Sequence, residues 1–224
     1  MAYTPKIKIC GVRTLQAAQV AAESGADMLG LVFYPPSPRY LAPTAAHTLS
    51  KEVRQLPVHP ALVGLFVNIA QAELAAASER YQLDYLQLSG DETRDQVREA
   101  SHLRPVIKAL RLPPELTVSE ALRVADNFGD LDNVILLIDT HKKGMYGGTG
   151  QTGDWEIARA ISSRYRCLLA GGLHPGNVSE AIQAVRPWGV DVSSGVEQDG
   201  VPGEKDLEKI RQFCRAAKPV KKEK

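Results

Sequence analysis

CLLAGGLHPGNVSEAIQAVRPWGVDVSSG, residues 167–195, reads as a strand, a glycine turn, a helix and a second strand. CLLA (167–170) is a short, continuous apolar run, the pattern of a strand covered on both faces. PGNVSEAIQAV (175–185) spaces its apolar residues at helical intervals. Pro175 suits a first helical turn, where its missing N–H costs nothing. GVDVS (189–193) then returns as a strand. Strands alternating with helices argue for a parallel sheet.

The same unit recurs along the whole chain. Further strand-like runs lie at 6–10, 27–34, 60–67, 84–89, 105–110 and 133–139, and VILLI and LVGLFV are nearly all apolar. Further helix-like runs lie at 14–24, 43–55, 71–81, 92–101, 114–126, 154–165 and 204–214. Eight strands and eight helices in strict alternation within 224 residues predict a compact, single (β/α)8 TIM barrel. A doubly wound open sheet also alternates but usually has fewer strands. No Gly-, Pro- or Ser-rich linker divides the chain. The expected organisation is one catalytic barrel over residues 1–216 and a short basic tail over 217–224.

Composition narrows the function classes. With 27 basic and 26 acidic side chains the net charge is +1, which leaves no nucleic-acid footprint. No stretch approaches the ~20 apolar residues of a membrane span, and the first residues lack a secretory apolar core. The three cysteines (Cys10, Cys167, Cys214) are widely spaced and odd in number, so free thiols in a reducing, cytoplasmic compartment are expected. The five histidines show no ligand spacing, so no metal site is expected.

In such a barrel the site is built at the C-terminal ends of the strands. Four stretches converge there: Cys10, Asp139, Gly171-Gly172 and Ser193-Ser194-Gly195. The loops after strands 7 and 8 often hold a phosphate on their backbone amides, and glycines let it approach closely. Asp139 closes NVILLID, where a buried, unpaired carboxylate would be costly. No helix is expected before Asp154, so a general acid or base is favoured over a cap. Arg39 sits in the proline-stiffened loop YPPSPRY (34–40), where a guanidinium suits a planar carboxylate or phosphate. Lys108, near the end of strand 5, is more readily a paired structural lysine than a Schiff-base one. Gly148-x-Gly150-x-x-Gly153 follows its strand too late for a dinucleotide fingerprint and reads better as an active-site loop or lid.

These stretches resemble the phosphoribosylanthranilate isomerase family. KICG (8–11), SGAD (24–27), FYPPSPRY (33–40), GLFVN (64–68), IDT (138–140), YGGTGQTGDW (146–155), AGGLHPGNV (170–178) and DVSSGVE (191–197) carry the resemblance in order. It implies an Amadori rearrangement of N-(5-phosphoribosyl)anthranilate in tryptophan biosynthesis. It also implies Cys10 as base, Asp139 as acid and Arg39 for the anthranilate carboxylate. Gly171, Gly172, Ser194 and Gly195 become the phosphate loops, with Asp191 and Ser193 among the substrate-binding positions. The imine intermediate is its own electron sink, so no cofactor is implied. The expected partner is a small phosphosugar-anthranilate, with no nucleic acid or membrane, on a monomer or homodimer.

The chain departs from the family pattern at Leu88-Ser89-Gly90, where L-H-G is usual, and at Gly153-Asp154-Trp155, where F-D-W is usual. Two other readings stand beside it. A related barrel isomerase of histidine biosynthesis performs the same rearrangement with an aspartate where Cys10 stands. A non-catalytic phosphosugar-binding module would have no need of both Cys10 and Asp139.

Overall fold

The computed structural model describes residues 3–110, 112, 113, 115–139 and 152–218, with 152–154 described by backbone alone. Eight parallel strands close into a barrel in chain order: β1 (Lys6–Cys10), β2 (Met28–Val32), β3 (Ala61–Phe66), β4 (Tyr85–Leu88), β5 (Val106–Leu110), β6 (Val134–Asp139), β7 (Cys167–Ala170) and β8 (Gly189–Val192). β8 pairs back onto β1, Lys8 opposite Asp191, and closes the ring. Helices α1 (Leu15–Glu23), α2 (Pro43–Arg54), α3 (Gln71–Arg80), α4 (Arg94–Leu103), α5 (Val118–Gly129), α6 (Thr152–Ser162), α7 (Val178–Val185) and α8 (Leu207–Ala217) follow the strands in turn. A single turn of 3-10 helix (Ser194–Val196) follows β8.

Strand side chains alternate between two apolar layers. Ile7, Ile9, Leu29, Leu31, Leu86, Leu88, Val190 and Val192 pack outward under the helices. Met28, Val63, Ile107, Ile135, Leu137, Leu168 and Ala170 point inward and fill the barrel axis. On the inward face this places Lys8 and Cys10 of β1, Gln87 of β4, Asp139 of β6 and Asp191 of β8. Lys108 falls on the outward face, between Val106 and Leu110.

Several helices begin later than the apolar pattern suggests, each for a local reason. Thr93 with Gln96 and Thr117 with Glu120 form capping boxes, which fix the starts of α4 and α5. Glu92 is drawn out of the helix to meet Lys108, their charged atoms 2.7 Å apart. Pro175 does not open α7. It lies in a turn that Asn177 holds, accepting from the His174 amide at 2.8 Å and donating to the Gly172 carbonyl at 2.9 Å. Lys205 is not helical either: it bridges back to Glu197, and Asp206 caps α8 through the amides of Glu208 and Lys209. α8 runs to Ala217, one residue into the expected tail, and 219–224 lie outside the described residues. Among the described residues no helix is long and apolar enough to cross a membrane.

Candidate active site

A cavity of about 430 Å³ opens at the C-terminal end of the barrel. Its floor is the inward apolar layer, represented by Ala109, Leu137 and Ala170. Its walls bring together Cys10, Arg39, Asp139, Gly171, Gly172, Asp191, Ser193 and Ser194, residues that come from five separate strand ends. The volume suits a small organic ligand.

Cys10 ends β1 and is buried at the cavity wall. Its neighbour across the ladder is Gly30, and a Cβ there would stand 2.9 Å from the sulfur. Glycine at that position is what gives the thiol room. The Ser193 hydroxyl donates to the Cys10 carbonyl at 3.2 Å and ties the ends of β1 and β8 together. Lys8, two residues before Cys10 and on the same face, is completely buried and donates to Asp191 Oδ1 at 2.8 Å. Burial pushes the Cys10 thiol up, and Asp191 adds to this, while Lys8 and Lys205 pull it down. Lys8 loses hydration on burial, yet Asp191 and Cys10 together hold its pKa above the usual lysine range.

Asp139 ends β6 and lines the same cavity, three strands round the ring from β1. It is exposed. The cost of burying a charge is therefore not what singles it out; its inward register at the open end of the barrel is. α6 begins at Thr152, slightly earlier than expected, and the loop between lies outside the described residues together with most of the Gly148–Gly153 motif.

Arg39 does not stand open as a two-pronged clamp. Its Nε and Nη2 donate to both oxygens of Glu197, at 2.6 and 2.9 Å. Lys205 reaches the same carboxylate at 3.1 Å and the Ser193 carbonyl at 2.9 Å. Burial raises the Glu197 pKa, but the two cations outweigh it and the carboxyl is held below its ordinary value.

The phosphate-loop residues divide. Gly171 and Gly172 hold consecutive left-handed conformations (φ of 89° and 63°), which turns the chain sharply over the cavity rim. Gly195 does not line the cavity. A Cβ there would fall 1.9 Å from the Leu173 carbonyl oxygen, so this glycine lets the two loops touch. Among the described residues no hydrogen bond takes the amides of Gly172, Ser194 or Gly195.

Sequence reasoning missed Lys8, Glu197, Lys205 and Gln87. Gln87 lines the cavity, donating to Ser89 at 3.2 Å, and its buried Oε1 has no hydrogen-bond partner among the described residues. Lys108 faces away from the cavity and is spent on Glu92 and the Gly90 carbonyl, at 2.7 and 2.9 Å. Among the described residues no cluster of ligating side chains could hold a metal ion.

Fold and cavity together place the chain among the (β/α)8 barrels that carry a small-molecule site at the C-terminal ends of their strands. Comparison with known proteins gives the family. The family model described as N-(5′-phosphoribosyl)anthranilate (PRA) isomerase matches residues 7–216. The N-(5′-phosphoribosyl)anthranilate isomerase of Trichlorobacter lovleyi is 44% identical over 214 residues, covering 95% of this chain and 98% of that one. A crystal structure of the Thermotoga maritima enzyme superposes with a TM-score of 0.82 at 36% identity, covering 96% and 98% of the two chains. A crystal structure in complex with reduced 1-(o-carboxyphenylamino)-1-deoxyribulose 5-phosphate superposes with a TM-score of 0.78 at 34% identity, over the same shares. The chain belongs to the N-(5′-phosphoribosyl)anthranilate isomerase family, aldose–ketose isomerases of tryptophan biosynthesis.

Proposed function

We propose that Cys10 and Asp139 are the base and acid of an Amadori rearrangement of N-(5-phosphoribosyl)anthranilate in this cavity. The observation that carries this reading is their common register: both point inward at the open ends of their strands, on separated walls of one cavity. The acid protonates the furanose ring oxygen, and the ring opens to a Schiff base. The thiolate of Cys10 then removes the C2′ proton, and the resulting enolamine tautomerises to the ketone. Electrons flow into the imine, so the protein has only to place two proton-transfer groups and hold the ends of the substrate.

The substrate's phosphate is assigned to the amides of Gly172 and Ser194, which line the cavity and otherwise lack partners among the described residues. Asp191 and Ser193 line the same cavity and are assigned to binding the rest of the substrate. The anthranilate carboxylate falls to Arg39. Because Glu197 takes its Nε–Nη2 edge, the Nη1 end is the one left for the substrate's carboxylate, and the plane of the guanidinium is fixed before substrate arrives. Expressed protein should turn over N-(5-phosphoribosyl)anthranilate, followed as loss of substrate fluorescence. Folded protein that leaves the fluorescence unchanged would overturn the reading.

A further inference from the structure

Lys8 is the most deeply buried charged side chain near the cavity, and the isomerase reading gives it no role. A lysine fully withdrawn from water needs anionic partners for its N–H donors. Asp191 supplies one, at 2.8 Å. The residue two positions on, sharing its inward face, is Cys10, so the ammonium and the sulfur are neighbours on one face of β1 and the charge of each favours the other. The charged surroundings of the thiol can be named element by element. β1 contributes Lys8, and β8 contributes Asp191. β2 contributes only the uncharged Gly30. The chain beyond β8 contributes Lys205, tied to Glu197 and through it to Arg39. Asp139 stands on the separate wall formed by β6. With Cys10 as thiolate, the group around it has three cations (Lys8, Lys205, Arg39) facing three anions (Cys10, Asp191, Glu197). With Cys10 as thiol, one positive charge is left over in a desolvated pocket.

We propose that Lys8 is a positioning residue of the reaction, its ammonium clamped by Asp191 as the buried counter-ion of the Cys10 thiolate. This rests on the reading of Cys10 as the base. When the thiolate takes the C2′ proton it becomes a neutral thiol, and Lys8 neither gains nor loses a proton. Its part is to lower the cost of holding the anion before the transfer. Asp191 has a double effect: it fixes the ammonium and, as an anion itself, opposes the thiolate.

The two partners therefore act on the thiol with opposite sign, and a purely structural ion pair would not. The test is the pH dependence of iodoacetamide alkylation at Cys10, read by mass spectrometry of the Cys10 peptide in folded protein. Lys8→Met should move the alkylation midpoint upward by at least about one pH unit, a tenfold change in thiolate fraction at a fixed lower pH. Asp191→Asn should move it downward. Turnover by folded Lys8→Met should lose kcat by about the same factor with little change in KM, and the acid limb of its kcat/KM profile should move upward with the midpoint. If Lys8→Met does not fold, Lys8→Gln is read in its place: a raised midpoint supports the proposal, and an unchanged or lowered one overturns it. Coincident midpoints in parent and variants, or shifts of both variants in one direction, also overturn it. Alkylation needs no substrate, so this outcome is separable from the fate of the isomerase reading, which turnover of Cys10→Ser decides.

Discussion

Lys108 and Lys8 are both buried lysines on barrel strands, and their fates differ by one step of register. Lys108 points outward, into the layer between sheet and helices, where Glu92 neutralises it and Phe128 lies 5.7 Å from its ammonium. Lys108→Met should leave Glu92 buried without its cation and destabilise the fold by about 3–5 kcal/mol, the cost of breaking a buried pair. Its kcat should stay within about threefold of the parent, since the site's general acid–base chemistry does not involve it. Denaturant melts and steady-state rates check both halves. Glu197 gives a pH prediction. Arg39 and Lys205 hold its folded pKa below the unfolded value, so its stabilisation is fully present above the unfolded pKa, ~4.3. That stabilisation is lost as pH falls through the folded value. Glu197→Gln should therefore lose less stability than the parent between pH 7 and pH 3, measured as urea midpoints.

The elements were largely legible in the sequence, and their ends much less so. KIKIC and CLLA are observed as strands over the residues expected, and every expected strand and helix exists. What apolar pattern cannot show is which face of a barrel strand looks inward, because both faces are covered. Alternation in KIKIC reads as an ordinary strand with a wet face carrying Lys6 and Lys8. In the closed barrel that face is the interior, which is how Lys8 was missed. Side-chain hydrogen bonds moved the helix starts: Asn177 displaces Pro175 from α7, and Glu92 leaves α4 for Lys108. Of the candidate site, all but Gly195 line the cavity, since strand ends are easy to locate. Glu197 and Lys205 were hidden because their meeting depends on a fold-back of the chain after β8. Gly195 makes the contact between the loops after β7 and β8. Gly195→Ala should destabilise by at least about 1–3 kcal/mol, the cost of overpacking against a backbone oxygen. It should also raise KM, because the phosphate amides would separate. A variant of parental Tm and KM would show that the two loops need not touch.

At the scale of the whole molecule, the barrel acts as a frame that places groups distant in sequence around one cavity. Cys10 and Asp139 are separated by more than half the chain and line one cavity only because β8 closes on β1. The frame also separates Cys10, which lines the cavity, from the other two thiols. Burial pushes Cys167 up to about 12 and Cys214 up to about 11, and both pack in the outward layer rather than at the cavity. In the proposed reaction Cys10 takes a proton from carbon. The most direct measurement is kcat of Cys10→Ser, with Asp139→Asn beside it, followed by loss of substrate fluorescence on protein shown to be folded. General acid–base assistance contributes about 10²–10⁴-fold, and a serine hydroxyl cannot ionise near neutral pH. Each variant should lose at least about a hundredfold in kcat with little change in KM. A Cys10→Ser protein with near-parental kcat would contradict the account and leave the thiol as packing alone.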